Sequence, residues 1–289
     1  MLTQITGIKK IIPFFITCIF LLFFFSCTRK IPVKDFNIPE TAEIITTPVK
    51  PEFYSLIENT VKNACLPQSI QEGIFGVLNN DDLKNTIENI LKEDTYLWIL
   101  VDKEHPLSEN YEPDDLVELK NASFTVNRTG MYLRNSAAVS LEEMAAAADA
   151  YGITLLASSA YRSYDYQAQV YNRNVTQMGQ EAADRESARP GHSQHQLGLV
   201  VDFGSITDAF AETAQGIWLA ANASRFGWSL SYPDGYEEIT GYRWESWHYR
   251  YTGIKIAEFI DTYFDGIQQY ALKFLRVYDN EKRLIKTIE

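Results

Sequence analysis

The chain has 289 residues, 46% hydrophobic and 22% charged, so it can bury a sizeable core as one large or two modest domains, and wholesale disorder is excluded. Acidic residues outnumber basic ones by 38 to 26, a formal charge of −12 that argues against nucleic-acid binding, which needs clustered cations. Three cysteines are too few, and an odd number, for a disulfide framework.

Lys9 and Lys10 precede an almost wholly apolar run from Ile11 to Phe25 that ends at Ser26-Cys27. A positive stretch followed by a short apolar one reads as an export signal over residues 1–27. A membrane-spanning helix usually needs about 20 apolar residues. The small residue before Cys27 resembles a bacterial lipobox, with Phe24 where leucine is usual, and implies lipidation of Cys27. On that reading the chain is exported, membrane-anchored and faces the periplasm or cell wall. An uncleaved anchor would put it in the same place. Residues 28–52, with Pro32, Pro39, Pro48 and Pro51, read as a tether. Cys18 leaves with the signal, and Cys65 is expected as a buried small hydrophobe.

Helical spacing over residues 53–95 (Ile70, Ile74, Val77, then Leu83, Ile87, Ile90), broken at Asn79-Asn80, predicts a helical lead-in. A main domain over 96–265 opens with Leu97 to Val101, read as a strand, and a proline-punctuated loop holding His105. Leu133, Ala137, Leu141, Met144 and Ala148 predict a helix over 132–151, stopped by Gly152. Ile153 to Ser159 reads as a strand, Tyr164 to Met178 as a helix ending at Gly179, and Glu181 to Gln194 as a loop. Leu197 to Phe203 reads as a buried strand, Glu212 to Phe226 as a helix stopped by Gly227, and Tyr242 to Tyr251 as an aromatic strand. The chain turns helical again from Ile254, with residues 266–289 as a tail. Helices and strands mix without a regular βαβ repeat, which favours an α+β fold: a small antiparallel sheet flanked by helices.

Histidine is scarce: four in all, three of them at positions 192, 195 and 248. His195 stands seven residues before Asp202, and Glu245 three before His248. Two imidazoles and one carboxylate suffice for a catalytic zinc with a fourth position open to water, and a neighbouring glutamate can take a proton from that water. On a regular strand, however, the odd offset puts His195 and Asp202 on opposite faces. His195 must then sit in the loop before the strand, or a bulge at Gly198 must re-aim the chain. From spacing alone, a satisfied polar side chain at a strand end is the commoner reading.

Three blocks in order, Ser159-Ala160-Tyr161-Arg162-Ser163 with Gln167, Pro190 to Asp202, and Glu245-Ser246-Trp247-His248, resemble the VanY-type zinc D-alanyl-D-alanine carboxypeptidases and their LD-carboxypeptidase relatives. The similarity runs from Trp98 to Ile260 and places the zinc site at one face of the sheet. It implies His195, Asp202 and His248 as ligands of Zn2+ and Glu245 as catalytic base. Arg162 would face the terminal carboxylate or the developing oxyanion, with Ser193 and Gln167 holding the peptide. The chemistry suits these roles, since an arginine fork pairs two-pronged with a carboxylate and a glutamate beside a cation can relay a proton. Val200 stands where the family usually has alanine and Gln194 where glutamate is frequent; neither removes a ligand. His192 reads as a loop residue, because a fourth protein ligand would close the open position. The implied activity is removal of the C-terminal D-alanine from peptidoglycan stem peptides. An endopeptidase on the same scaffold and a non-catalytic cell-wall-binding lipoprotein are the rivals. Arg162 argues against the first and the complete ligand set against the second, while a sugar hydrolase would need a second catalytic acid that is not found.

Overall fold

The structure, a computed structural model, describes residues 51–78, 81–120 and 123–288. The export signal, Cys27 and the tether up to residue 50 lie outside the described residues. Three helices come first: α1 (Pro51–Asn63), α2 (Gln68–Gly76) and α3 (Asp82–Ile90). Pro51 can open α1 because the N–H it lacks would be unpaired in a first turn anyway. Each helix buries one stripe, with Leu56, Ile57 and Val61 in α1, Ile70 and Ile74 in α2, and Leu83, Ile87 and Ile90 in α3. Cys65, expected to be buried, is exposed. It sits just past α1 in left-handed backbone (φ 53°), the place where glycine commonly ends a helix.

Leu97 to Val101 is not a strand but a helical turn, α4 (Thr95–Trp98), running into extended chain. Leu97, Trp98, Leu100 and Val101 are buried as a strand's would be. The carbonyls of Tyr96, Leu97 and Ile99 instead accept from Nη2 of the fully buried Arg250, so no neighbouring strand is needed to satisfy them.

Next come β1 (Leu116–Glu118), β2 (Thr125–Val126), β3 (Tyr132–Arg134) and α5 (Asn135–Asp149). The helix expected from residue 132 starts later because Tyr132–Arg134 pairs antiparallel with β1. β4 (Leu156–Ser159) leads to α6 (Tyr164–Met178), capped by Ser163, whose Oγ accepts from the Tyr166 N–H at 3.2 Å. α7 (Gln180–Glu186) occupies what the sequence presents as loop. Buried Ala183 and a 2.7 Å hydrogen bond from Tyr171 Oη to Asp184 hold it on α6, an anchoring that polar composition does not reveal.

The remainder is β5 (Val200–Phe203), α8 (Ala214–Asn222), β6 (Trp228–Leu230), α9 (Glu237–Thr240), β7 (His248–Tyr251), α10 (Ile254–Tyr263) and α11 (Gln268–Ile288). The aromatic stretch from Tyr242 is a strand only at its end. Before that its backbone is engaged elsewhere, with the Arg243 N–H on the Arg185 carbonyl and the Glu245 N–H on the Tyr232 carbonyl. α1 packs against α11, and α2 and α3 pack against α10, so the apolar stripes join a core shared with the sheet.

The fold is α+β, as expected. Five strands run in the order β2-β4-β5-β7-β6, antiparallel except for the parallel β2–β4 edge pair, which is a departure from the expected sheet. Alternation sends Val201, Phe203 and Tyr249 to one face, where Phe203 packs edge-on against Trp228 and Tyr249. Asp202, His248 and Arg250 go to the other. That second face, with its polar side chains on the two central strands, holds the site.

Candidate active site

Asp202 on β5 and His248 on β7 are register partners, so their side chains rise side by side from one face. His195 reaches them from a 3-10 turn, Gln194–Leu197, ahead of β5. Gly198 then takes left-handed backbone (φ 71°), and a Cβ there would lie 2.9 Å from Leu116 Cδ2, so this reversal belongs to glycine. The register problem is thereby resolved in the first of the two ways the sequence allowed. Buried Arg134 supports the turn from below: its Nε donates to the Leu197 carbonyl (3.1 Å), its Nη1 pairs with Asp115 (2.5 Å) and it lies over the Tyr96 ring. Ser193 caps the turn, its Oγ accepting from the His195 N–H at 3.3 Å. The His248 N–H donates to the Glu245 carbonyl (3.2 Å), and this turn brings Glu245 Oε2 to 3.2 Å from His248 Nδ1.

His195, Asp202 and His248 are buried and offer donor atoms that all lie within 4.8 Å of one another. His195 Nε2 is 3.2 Å from Asp202 Oδ2, and His248 Nδ1 is 3.2 Å from Asp202 Oδ1. His195 Nδ1 lies 2.6 Å from the Ala160 carbonyl oxygen, which can only accept, so Nδ1 carries the proton. Burial, helped by the Arg162 guanidinium, pushes the His195 imidazole down to about 4, so at neutral pH the ring is neutral and Nε2 is a bare lone pair. A lone pair and a carboxylate oxygen 3.2 Å apart in a buried site repel unless a cation lies between them. Consistent with this, His195 Nε2 and Asp202 Oδ1 have no hydrogen-bond partner.

The donor set fits zinc. Tetrahedral bonds of about 2.0–2.1 Å put neighbouring donors about 3.4 Å apart, close to the 3.2 Å of the two pairs that Asp202 makes, and two nitrogens with one carboxylate leave a position open. His195 also has its second nitrogen fixed by a carbonyl, as ligating imidazoles usually do. Burial disfavours charge on His248, but the Asp202 and Glu245 carboxylates, each 3.2 Å from its Nδ1, outweigh it and raise that imidazole. Burial also raises the Glu245 carboxyl.

The cluster opens into a cavity of 450 Å³ whose wall includes Arg162, Gln167, Ser193 and Glu245, so all the candidate residues of the three blocks meet there. The Arg162 N–H donates to the His195 carbonyl (3.3 Å), and its Nε is buried without a partner. The Gln167 amide donates to the Ala188 carbonyl (2.6 Å), and its Oε1 is buried and unpartnered at the wall. Trp247 lines the cavity.

His192 takes no part, since its Nδ1 hydrogen-bonds the Asp102 carbonyl at 2.8 Å. His105 pairs with Asp102, and Asp115 pairs with Arg134. Sequence reasoning missed Tyr232, whose ring lies 4.6 Å from that of His248 and 4.9 Å from that of Tyr242. It also missed Arg134 and Asp102. None of the three carries a local motif; their partners come from distant segments.

Residues 130–254 match the VanY family, described as D-alanyl-D-alanine carboxypeptidases. YodJ of Bacillus subtilis (strain 168) is 35% identical over 217 residues, which cover 72% of this chain and 78% of YodJ. The solved structure of the LdcB LD-carboxypeptidase superposes with a TM-score of 0.56 at 36% identity, over 65% of this chain and 87% of LdcB. A vancomycin-resistance D,D-pentapeptidase VanY in complex with Zn(II) gives 0.52 at 30% identity, over 61% of this chain and 99% of that one. A shared fold, a shared sequence over most of a relative's length and the same ordered blocks agree: the chain belongs to the VanY family of D-alanyl-D-alanine carboxypeptidases.

Proposed function

We propose that this chain is a zinc-dependent carboxypeptidase that removes the C-terminal D-alanine from peptidoglycan stem peptides, as a DD- or an LD-carboxypeptidase. The observation that carries the reading is the buried cluster of His195, Asp202 and His248, with Glu245 beside it, opening into the cavity that Arg162 lines. The Zn(II) held by the VanY neighbour supports it. A zinc ion on these three side chains supplies positive charge that acidifies water and polarises a carbonyl.

Arg162 takes the substrate's terminal carboxylate with its guanidinium fork, which selects a chain end over an internal bond. Gln167 Oε1 accepts a peptide N–H, and Ser193 helps to hold the chain. Glu245 accepts the proton of the attacking water on Oε2 and delivers it to the leaving amine as the C–N bond breaks. Burial makes Glu245 a stronger base than a surface glutamate.

The enzyme works outside the cytoplasm, held to the membrane through residues 1–27 with Cys27 lipidated, and with residues 28–52 as tether; the Lys9-Lys10, apolar, Ser26-Cys27 pattern supports this. In this organisation residues 53–95 lead in to a catalytic domain over 96–265, and 266–289 are its tail. Zinc-loaded protein is expected to release D-alanine from tetra- or pentapeptide muropeptides and to stop when a chelator is added. Failure to release D-alanine from either would overturn the reading, and the preferred substrate separates the LD from the DD activity.

A further inference from the structure

α6 lines the cavity with one face. Tyr166, Gln167, Val170, Arg173, Asn174 and Met178 all border it, at the three- and four-residue spacing of a single helical stripe. At 1.5 Å per residue, Gln167 to Asn174 covers about 10 Å, the length of about three residues of extended peptide. The stripe changes character along its length. Gln167, near the metal cluster, is a buried amide, whereas Arg173, almost two turns on, is an exposed cation. The loop after β2 adds exposed Arg128 to the same cavity, 5.8 Å from the Tyr166 ring.

Arg134, Arg185, Arg189, Arg243 and Arg283 all pair with carboxylates, as a chain with a formal charge of −12 makes easy. Among the cavity's arginines, Arg243 is committed to Glu186 and Asp208, and the Arg162 guanidinium, with its Nε buried and unpartnered, is already assigned to the substrate's terminal carboxylate. Arg128 and Arg173 form no ion pair among the described residues. Two uncommitted guanidinium groups on one peptide-sized cleft of an acidic protein suit an anionic part of the ligand.

Building on the carboxypeptidase reading, we propose that Arg173, with Arg128, binds a second carboxylate of the substrate, carried two or three residues before the scissile bond. The preferred substrates are then acidic peptides, in which an upstream residue such as a side-chain-linked glutamate keeps a free carboxylate. Amidation of that carboxylate weakens them.

The test uses two synthetic peptides ending in D-alanine that differ only in whether the upstream glutamate bears a carboxylate or a carboxamide. Full-length protein is expected to favour the acid by about fivefold or more in kcat/KM, the size of one modest ion pair. The Arg128→Gln/Arg173→Gln double variant should bring the acid-to-amide ratio close to one. This ratio does not depend on how much of the variant is folded. The Arg225→Gln/Arg276→Gln double variant, which removes the same two positive charges at exposed positions outside the cavity, should keep the wild-type ratio and so exclude general charge steering. A wild-type ratio of one, or a preference that survives the double substitution, would overturn the proposal. Calorimetric binding of both peptides to the Glu245→Gln protein reports the same ratio without turnover. If neither peptide is cleaved but the acid still binds better, the carboxypeptidase reading fails and the subsite stands; if neither peptide binds, the subsite fails too.

Discussion

Asp102 and Asp202 are both buried carboxylates beside histidines, and they differ in what surrounds them. Asp102 Oδ1 accepts from the Glu104 N–H (2.9 Å), the His105 N–H (3.0 Å) and His105 Nδ1 (2.7 Å), while Oδ2 accepts from the Gln269 amide (2.7 Å). Donors meet acceptors, and the cluster ties the loop after α4 to α11, with His192 joining through the Asp102 carbonyl. Around Asp202, the lone pair of His195 Nε2 faces a carboxylate oxygen, and buried atoms stay unpartnered beside a cavity. A matched buried network stabilises the fold, whereas a mismatched one costs stability until a ligand completes it. The same two residue types thus satisfy one another in one place and are left open to a ligand in the other.

The sharpest way to break this contrast is Glu245→Gln. It should lower kcat by about 10²–10⁴-fold, the usual share of a general base, while zinc content by metal analysis stays unchanged. A fully active variant would mean that the base is wrongly assigned. Next in size is removal of the metal. At a zinc concentration about 100 times its Kd the stabilisation is about 2.7 kcal/mol, so a chelator should lower Tm by about 5–10 °C. An Asp202→Asn chain should show no such response to the chelator.

The structural cluster should behave the other way round. Asp102→Asn puts an amide N–H₂ against at least one existing donor and should cost about 2 kcal/mol, read as a shift in the urea midpoint, with kcat unaffected. Burial opposes the charge on Asp102, but the N–H groups of Glu104, His105 and Gln269 outweigh it and lower its pKa. The contribution is therefore complete above the ordinary carboxylate pKa and is lost as pH falls through the depressed folded value. The Asn variant should lack that acid-side component, which the parent protein loses below about pH 4. Smallest is His105→Gln, which removes one of the four donors and should cost about 1 kcal/mol with zinc binding intact. A loss of zinc in either variant would show that the two clusters are coupled.

Much of the candidate site is legible because it is local. Arg162, His195, Asp202, Glu245 and His248 fall in three short blocks, and Gly198 already signals that the chain must turn before the strand. The partners of Asp102 are not legible: they stand at positions 104, 105 and 269, and nothing in those neighbourhoods marks them as a set. Leu97 to Val101 misleads for a related reason. Its apolar run announces burial correctly, but whether buried backbone becomes strand or helical turn depends on who satisfies its carbonyls, and Arg250 lies some 150 positions away. α7 is hidden because a polar helix held by Ala183 and one tyrosine hydroxyl has no periodic signature.

Composition and local pattern by themselves determined an acidic α+β protein with a small stock of histidine concentrated around one carboxylate pair. They also determined which side chains could hold a cation and take a proton. Only the tertiary structure decided which aspartate would be surrounded by donors and which would be left facing lone pairs. It likewise decided which arginines would be paired and which would be left along a cleft. Residue type sets what a group can do, but hydrogen-bond and ion-pair partners are assigned by contacts between distant segments, and the unmatched groups are the ones left for chemistry.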